Sequence, residues 1–425
     1  MGAAPLTLTY HLYRAVTALA APLALRAARK RFIARNGPMT RFPERNGRFS
    51  EPRPAGPLIW LHAVSVGEFL SILDLVRDLT QDGTKVLVTT TTSSAAELAA
   101  QRLPSGVLHQ FAPVDTPGAV RRFLDHWHPD LAVFVESEIW PNQIVMAHKR
   151  GIPLALINAR LSGKSLEQWQ KHRSTARALL SRFSRILCQT DTTRNALIQL
   201  SSDDDTIETT GDMKAAAGAL PYDPSEVERL APLLAKRPLW VASSTHEGEE
   251  DQVSAAHRAV IREHADALLI LVPRHPERGD AIEALLKQKG WTIARRSRGD
   301  LVAPDTQVYL ADTLGETGLW YHLSPIVLVG GSFTPVGGHN PYEPAHFGCA
   351  ILHGPLYANF TLAYEAMRAA GACEEVEDAA ALGGAVADLI RSDRQQNLAR
   401  NASAFIDQAG NNRAGVVSSL ISLMK

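Results

Sequence analysis

Short apolar runs recur along the chain at 58–62, 85–90, 107–111, 131–135, 152–157, 185–189 and 206–210, and again at 239–243, 267–272, 307–311, 326–329 and 350–352. Most are apolar at successive positions instead of alternating, so both faces must be covered, as in a parallel sheet under helices. Stretches with apolar residues at helical spacing lie between them, for example 247–264 and 280–289. Residues 216–238 break the series with Pro221, Pro224, Pro232 and Pro238 around a short helical pattern, which marks a linker. The pattern predicts an α/β chain of two doubly wound, Rossmann-like domains, 36–215 and 239–394, facing a cleft where a ligand meets the carboxyl ends of the strands. Helices over 395–425 are expected to pack back toward the first domain.

The N-terminus departs from this pattern. Residues 6–25 are mostly apolar, interrupted by His11, Arg14 and Pro22, and residues 26–53 then hold nine basic side chains (Arg26, Arg29, Lys30, Arg31, Arg35, Arg41, Arg45, Arg48, Arg53) against Glu44 and Glu51. A spanning helix needs roughly 20 apolar residues, and the unbroken stretch here, 15–25, is shorter. Residues 1–35 therefore read as an anchor that either spans marginally or lies in the membrane interface, with the basic block on the cytoplasmic side. An ordinary soluble helix is the alternative. A cleaved signal peptide would carry its basic cluster first, not last. Neither segment belongs to the alternating strand–helix pattern, so both are expected to be dispensable for folding.

Over the whole chain, 44 Lys and Arg balance 44 Asp and Glu and 45% of residues are hydrophobic, a globular composition with no global charge to draw nucleic acid. Cys188, Cys349 and Cys373 are far apart with no CxxC spacing, which suits buried thiols in a reducing compartment.

Candidate chemistry gathers at strand ends. Residues 324–355, SPIVLVGGSFTPVGGHNPYEPAHFGCAILHGP, run from a strand into paired glycines, Gly330-Gly331 and Gly337-Gly338, and on to a helix start with Asn340 at the N-cap, Pro341 next and Glu343 at N3. A well-capped helix explains the last part; the glycine pairs favour a nucleotide-phosphate site, where backbone N–H groups meet an anion. Earlier, Ser65-x-x-Glu68 ends the first strand as a capping box, and Ser244-x-x-Glu247 repeats the design in the second series. Gly67 opens the helix start beside Glu68, and a carboxylate there suits a general base toward a hydroxyl. Residues 131–142, LAVFVESEIWPN, end a strand in Glu136 and Glu138, which alternation puts on one side, unless they are a solvated turn. Lys214 follows the last strand of the first series, and Arg274, in PRHP, follows a strand of the second; for each, a surface ion pair is the alternative.

Other motifs fail. Asn158 stands where a Walker A loop ending at Gly163-Lys164-Ser165 needs glycine, and no GxGxxG follows a strand. Asp203-Asp204-Asp205 lies in a polar loop without a neighbouring ligand set, and the histidines form no HExxH. Neither a metal nor a cofactor is expected.

Taken together, WLHAVSVGE (60–68), ESEIWPN (136–142), INARLSGKS (157–165), GDMK (211–214), ASSTHEGEE (242–250), VPRHPER (272–278) and GGHNPYEPA (337–345) resemble the 3-deoxy-D-manno-octulosonic acid (Kdo) transferases of lipid A assembly, in that family's order. The resemblance implies a GT-B glycosyltransferase that takes CMP-Kdo as donor and the tetra-acylated lipid A precursor, lipid IVA, as acceptor, inverting the anomeric carbon. It implies Glu68 as general base and Glu138 and Lys214 as groups that stabilise the transition state. It places CMP on Pro273 and Arg274, on Leu314, Gly315 and Glu316, and on Asn340, Pro341, Tyr342 and Glu343. The expected location is the cytoplasmic face of a bacterial inner membrane, with its anionic surface as a partner. The chain departs from the family at Ser94, where glycine is usual. Two other readings are a cytosolic sugar-nucleotide epimerase of the same fold and a membrane-tethered nucleotide-binding protein without catalysis. The first leaves the N-terminus unexplained, and the second leaves Glu68, Glu138 and Lys214 converging without purpose.

Overall fold

The computed structural model describes residues 3–49, 51–81, 83–201, 205–235 and 237–424. It forms two compact units, residues 1–217 with 409–425 and residues 218–408. In the first unit seven strands, β1 (Leu58–His62), β2 (Lys85–Thr90), β3 (Leu108–Phe111), β4 (Leu131–Val135), β5 (Leu154–Ala159), β6 (Arg185–Cys188) and β7 (Ile207–Thr209), make one parallel sheet in the order β3-β2-β1-β4-β5-β6-β7. The second unit repeats the plan with β8 (Leu239–Thr245), β9 (Leu268–Pro273), β10 (Ile293–Arg295), β11 (Val308–Leu310), β12 (Ile326–Val329), β13 (Ala350–His353) and β14 (Cys373–Glu375), ordered β10-β11-β9-β8-β12-β13-β14. In each sheet the winding reverses beside its first strand, between β1 and β4 and between β8 and β12. Such a switch point leaves a crevice at the carboxyl ends. The edge strands β10 and β14 escaped the sequence reading because each is three residues long and mixes in charge (Arg295, Glu374, Glu375).

The apolar runs become strands because both faces find cover. All five residues of β1 and all five of β4 are buried. On one face, Ile59, Leu61, Val133 and Val135 pack with Phe69, Ile72, Leu75 and Val76 of a helix over Val66–Thr80. On the other, Trp60, Ala132 and Phe134 pack with Phe123, Trp127 and Ile144. The single helix Arg394–Ser422 gives its last turns to the first unit, where Val416 and Leu420 are buried in the core and Arg413 Nε meets Asp78 Oδ2 at 2.8 Å.

Residues 3–49 correct the sequence reading. Helices α1 (Leu8–Leu19) and α2 (Ala21–Ala34) and the 3-10 segment Met39–Asn46 are built into the first unit. Tyr10 is 2% exposed within its main core, and Tyr13 donates to Asp115 Oδ2 at 2.9 Å. Phe32 sits edge-on against Phe111, with ring centres 4.8 Å apart. The buried Glu44 accepts from the Phe111 N–H at 2.6 Å and pairs with Arg41 at 2.7 Å. The aromatic positions facing inward were hidden in the sequence among alanines and arginines. What α1 and α2 turn outward is an apolar stripe: Leu8, Leu12, Val16, Leu19 and Leu23, between 52% and 85% exposed. A spacing of three or four residues keeps Leu8, Leu12, Val16 and Leu19 on one side of α1, and Leu23 follows on α2. Among the described residues no helix is long and apolar enough to cross a membrane.

Candidate functional site

In the first unit the chain turns sharply after β1, and Ser65 caps the Val66–Thr80 helix by accepting from the Glu68 N–H. Glu68 reaches back: Oε2 accepts from the Val64 N–H at 2.7 Å and Oε1 from the Ser65 hydroxyl at 2.9 Å. The capping box is therefore real, and it fixes the carboxylate at the carboxyl end of β1. Burial raises the Glu68 pKa most, against the two hydrogen bonds that favour the charged form; Glu136 pushes it further up and Lys214 pulls it down.

Glu138 belongs to the same cluster. Its carboxyl is raised to about 7, first by burial and then by the nearby Glu68, with the Trp140 indole N–H opposing and Glu136 adding. Lys214 is paired with Glu136, Nζ to Oε1 at 3.2 Å, so the acid that the alternation grouped with Glu138 is the lysine's direct partner. β4 ends at Val135, and Glu136 takes a left-handed φ of +56°; strand alternation no longer applies to it. Asn158, at φ +51° in β5, accepts from the Met213 N–H at 3.0 Å and so holds the GDMK loop in place. Asp212 caps the Lys214 N–H at 3.0 Å. Sequence reasoning passed over Asn158 and Asp212. The only available signal was an asparagine where a strand had to end, a residue that tolerates the left-handed region. The structure thus brings Glu68, Glu138 and Lys214 together, with Glu136 among them and Asp212 holding the Lys214 backbone.

The second unit changes the meaning of its glycine loop. The Gly331, Ser332 and Phe333 N–H groups do not stand open: they donate to Glu249 at 2.7, 2.9 and 2.8 Å, and the His246 N–H does so at 2.9 Å. Glu249, 1% exposed, opens the helix Glu249–Glu263, whose N-cap is Gly248. Glu247 is exposed and caps nothing, contrary to the expected box at Ser244. The glycines serve the chain's close approach to itself: a Cβ on Gly331 (φ +66°) would lie 2.8 Å from the His339 ring, and one on Gly337 (φ +97°) 2.6 Å from Asn359. The helix after them is only four residues, Tyr342–Ala345, with Pro341 as N-cap, so it carries little of the dipole expected there. Asn340 still caps it, accepting from the Tyr342 N–H at 3.1 Å, and its amide reaches Glu343 at 3.4 Å.

What gathers above β8, β9 and β12 is a basic rim. His246 and His339 share a hydrogen bond, Nε2 to Nε2 at 2.8 Å, and His275 lies edge-on to His246 with ring centres 5.5 Å apart. Burial first, then His246, Arg274 and His275, lower His339 to about 4. Arg274 follows Pro273, the last residue of β9; its N–H joins the Thr245 carbonyl at 3.0 Å and its side chain is exposed. Burial raises Glu343, with Asn340 and Arg274 acting the other way. Arg274, Asn340, Pro341, Tyr342 and Glu343 thus form one neighbourhood. The turn of Leu314, Gly315 and Glu316 is held by its own network: Glu316 pairs with Arg296 and Thr313, and Arg296 also reaches Glu226 at 2.5 Å. Leu314 is 82% exposed. A cavity of this unit, about 540 Å3, lies at the opposite, amino ends of β8 and β12 beside Leu239 and Ile326. Asp203 and Asp204 lie outside the described residues. Among those described, no group of three His, Cys, Asp or Glu is placed to hold a metal.

Comparison with known proteins supplies the remaining findings. Residues 40–217 match the family model for 3-deoxy-D-manno-octulosonic-acid transferase. The chain is 39% identical over 371 residues to the "Probable 3-deoxy-D-manno-octulosonic acid transferase, mitochondrial" of Arabidopsis thaliana, covering 85% of this chain and 83% of that one. To the 3-deoxy-D-manno-octulosonic acid transferase of Haemophilus influenzae it is 34% identical over 383 residues, 89% of this chain and 88% of the other. A glycosyltransferase crystal structure from Rickettsia africae shares the two-domain α/β fold, at TM-score 0.55 and 10% identity over 87% of this chain and 99% of that one.

Proposed function

Since the chain belongs to the Kdo transferase family and is therefore a glycosyltransferase, we propose that it moves Kdo from CMP-Kdo to a hydroxyl of the tetra-acylated lipid A precursor, with inversion and without a metal, at the cytoplasmic face of a bacterial inner membrane. The observation that supports the chemistry is the cluster of Glu68, Glu138 and Lys214 at the carboxyl ends of the first sheet. A sugar hydroxyl is too weak an acid to attack unaided. Glu68, with each carboxylate oxygen already fixed by one hydrogen bond, keeps a free lone pair to take the hydroxyl proton as the glycosidic bond forms. The bond to CMP breaks in the same step, and the departing phosphate carries the negative charge. Arg274 supplies fixed positive charge for it, and the histidines of the rim supply ring nitrogens for hydrogen bonds. Lys214 supplies positive charge in the first unit. The epimerase and non-catalytic readings lose to family membership. The test is CMP release and sugar transfer from CMP-Kdo, with and without the lipid acceptor, in excess chelator. Failure of acceptor to stimulate release would overturn the reading, and activity that returns only with added magnesium would remove its metal-free part.

Three expected results follow from this assignment. Arg274→Ala and Glu343→Ala should each weaken CMP binding by the loss of a charge-assisted contact, about 1.5 to 3 kcal/mol, read by calorimetry; unchanged affinity in both would move the nucleotide elsewhere. The acid limb of kcat/KM should fall on Glu138. A carboxyl raised to about 7 is neutral below that pH and charged above it, so activity that needs the carboxylate drops as pH falls through 7. In Glu138→Gln that limb should shift to lower pH, and an unmoved profile would deny Glu138 the role.

The membrane expectation changes form. The exposed stripe Leu8, Leu12, Val16, Leu19 and Leu23, followed by Arg26, Arg29 and Lys30, all exposed, suits an interfacial helix pair on an anionic surface. Leu12→Gln with Leu19→Gln should leave the fold intact and release the protein from anionic vesicles. Cosedimentation equal to wild type would place the membrane contact elsewhere.

A further inference from the structure

A cavity of about 370 Å3 opens in the first unit at the carboxyl ends of β1, β2 and β3, walled on one side by α2. Three guanidinium groups line it, those of Arg31, Arg35 and Arg45. Arg45 donates to the Ala112 carbonyl at 2.5 Å and lies 3.5 Å from the Thr91 hydroxyl. Among the described residues none of the three is paired with a carboxylate. The one acid in the lining, Asp115, already accepts from the Tyr13 hydroxyl and from the Asn142 and Gln143 N–H groups.

Deeper in the lining, three nearly inaccessible side chains have polar atoms with no partner: His62 Nε2, Ser93 Oγ and Gln143 Oε1, on residues 1%, 4% and 1% exposed. Buried polar atoms are satisfied in the great majority of cases, so three orphans around one cavity mark a place built for a ligand. His62 Nδ1 lies 2.9 Å from Thr89 Oγ1, which accepts from the Trp60 indole at 2.8 Å and donates to the Leu61 carbonyl at 3.4 Å, so Nε2 is the ring atom left without a partner. Burial, then Arg45, keep the ring neutral, its pKa down near 3.

Three guanidinium groups that no carboxylate pairs with, and the unused Ser93 hydroxyl beside them, select a multiply charged oxyanion. The volume leaves room for a sugar beside it. The remaining wall is apolar, made by Ala24, Ala27, Ala28 and Phe32 of α2, the helix pair whose outer stripe faces solvent. Trp140 lines the cavity and also donates its indole N–H to Glu138, so the cavity borders the carboxylate cluster. We propose that this cavity is a phosphate subsite for the acceptor, seating a phosphate of a phosphorylated glycolipid headgroup while a hydroxyl of the same headgroup meets Glu68 and Glu138. The assignment rests on the acceptor reading given above.

The test uses the full chain, a water-soluble phosphorylated disaccharide headgroup, its unphosphorylated counterpart and inorganic phosphate, with binding read by calorimetry. The wild type should prefer the phosphorylated headgroup at least ten-fold, and Arg31→Gln with Arg35→Gln, both exposed and so harmless to folding, should abolish the preference. With detergent-dispersed acceptor the same variant should raise the acceptor KM about ten-fold and leave kcat and the donor KM unchanged. Arg26→Gln with Lys30→Gln, on the same helix but outside the cavity, should weaken vesicle binding without touching the headgroup preference. The subsite is refuted if the Arg31/Arg35 variant keeps the preference, if the Arg26/Lys30 variant loses it equally, or if inorganic phosphate binds as tightly as the headgroup. Headgroup preference without any transfer to lipid would overturn the acceptor reading and leave the anion site standing; normal transfer without preference would do the reverse.

Discussion

Glu68→Gln is expected to lower sugar transfer by about 10² to 10⁴-fold, the usual worth of a general base, while CMP binding and thermal stability stay near wild type. The structure allows this separation because the glutamine can keep the helix cap. Its amide oxygen accepts from the Val64 N–H as Oε2 does now, and its amide nitrogen donates to Ser65 Oγ once that hydroxyl turns away. What glutamine cannot do is take a proton. Glu68→Ala, by contrast, would also lose the cap, at about 0.5 to 2 kcal/mol, and would mix the two effects. If the glutamine variant turned over at a near-normal rate, Glu68 would be a capping residue only and the base would have to be sought in Glu138 or Asp212.

The first unit's three expected residues were legible because each lies three to six residues beyond the end of a strand. Strand ends at a switch point are where a ligand meets a doubly wound sheet, so position carried information that the residue types alone did not. The partners were not legible. Pairing of Lys214 with Glu136 depends on a left-handed turn at Glu136 and on Asn158 holding the Met213 backbone, and neither has a period in the sequence.

The glycine loop shows the opposite failure. Gly330-Gly331 and Gly337-Gly338 were read as backbone made free for a phosphate, yet the Gly331, Ser332 and Phe333 N–H groups are consumed by Glu249, eighty-odd residues away in the chain, and those of Gly330 and Gly338 by the Ser243 and Gly331 carbonyls. A carboxylate inside the protein can satisfy the same nest of donors as a bound anion, and local sequence does not distinguish the two. Glu249 had been visible only as one acid in a run of three. The basic rim of Arg274, His246, His275 and His339 emerged from the crossing of three loops, and for the same reason no single segment announced it.

The N-terminal residues carry the second large expectation, and it reverses what the strand–helix pattern implied. A chain beginning at Pro54 should lose its first unit's stability, with Tm falling by about 10 to 20 °C, instead of remaining folded without an anchor. Removing residues 3–49 strips Tyr10 from the main core and Phe32 from its place on Phe111, each worth about 1.5 to 3 kcal/mol of apolar burial. It also removes Glu44, leaving the Phe111 N–H without its acceptor, and takes Tyr13 away from Asp115. An unmet buried donor costs a further 1 to 3 kcal/mol or so, against a domain stability of only about 5 to 15 kcal/mol. At about 2 to 4 °C per kcal/mol for a domain of this size, the losses add to the stated drop. Thermal unfolding followed by circular dichroism, full chain against truncated chain, decides the matter. A cooperative transition within about 3 °C of the full-length value would mean that α1, α2 and the Met39–Asn46 segment ride on the fold without supporting it. A large drop would mean that membrane binding can be removed cleanly only by changing the outward stripe, as in the Leu12 and Leu19 variant, and never by deleting the helices.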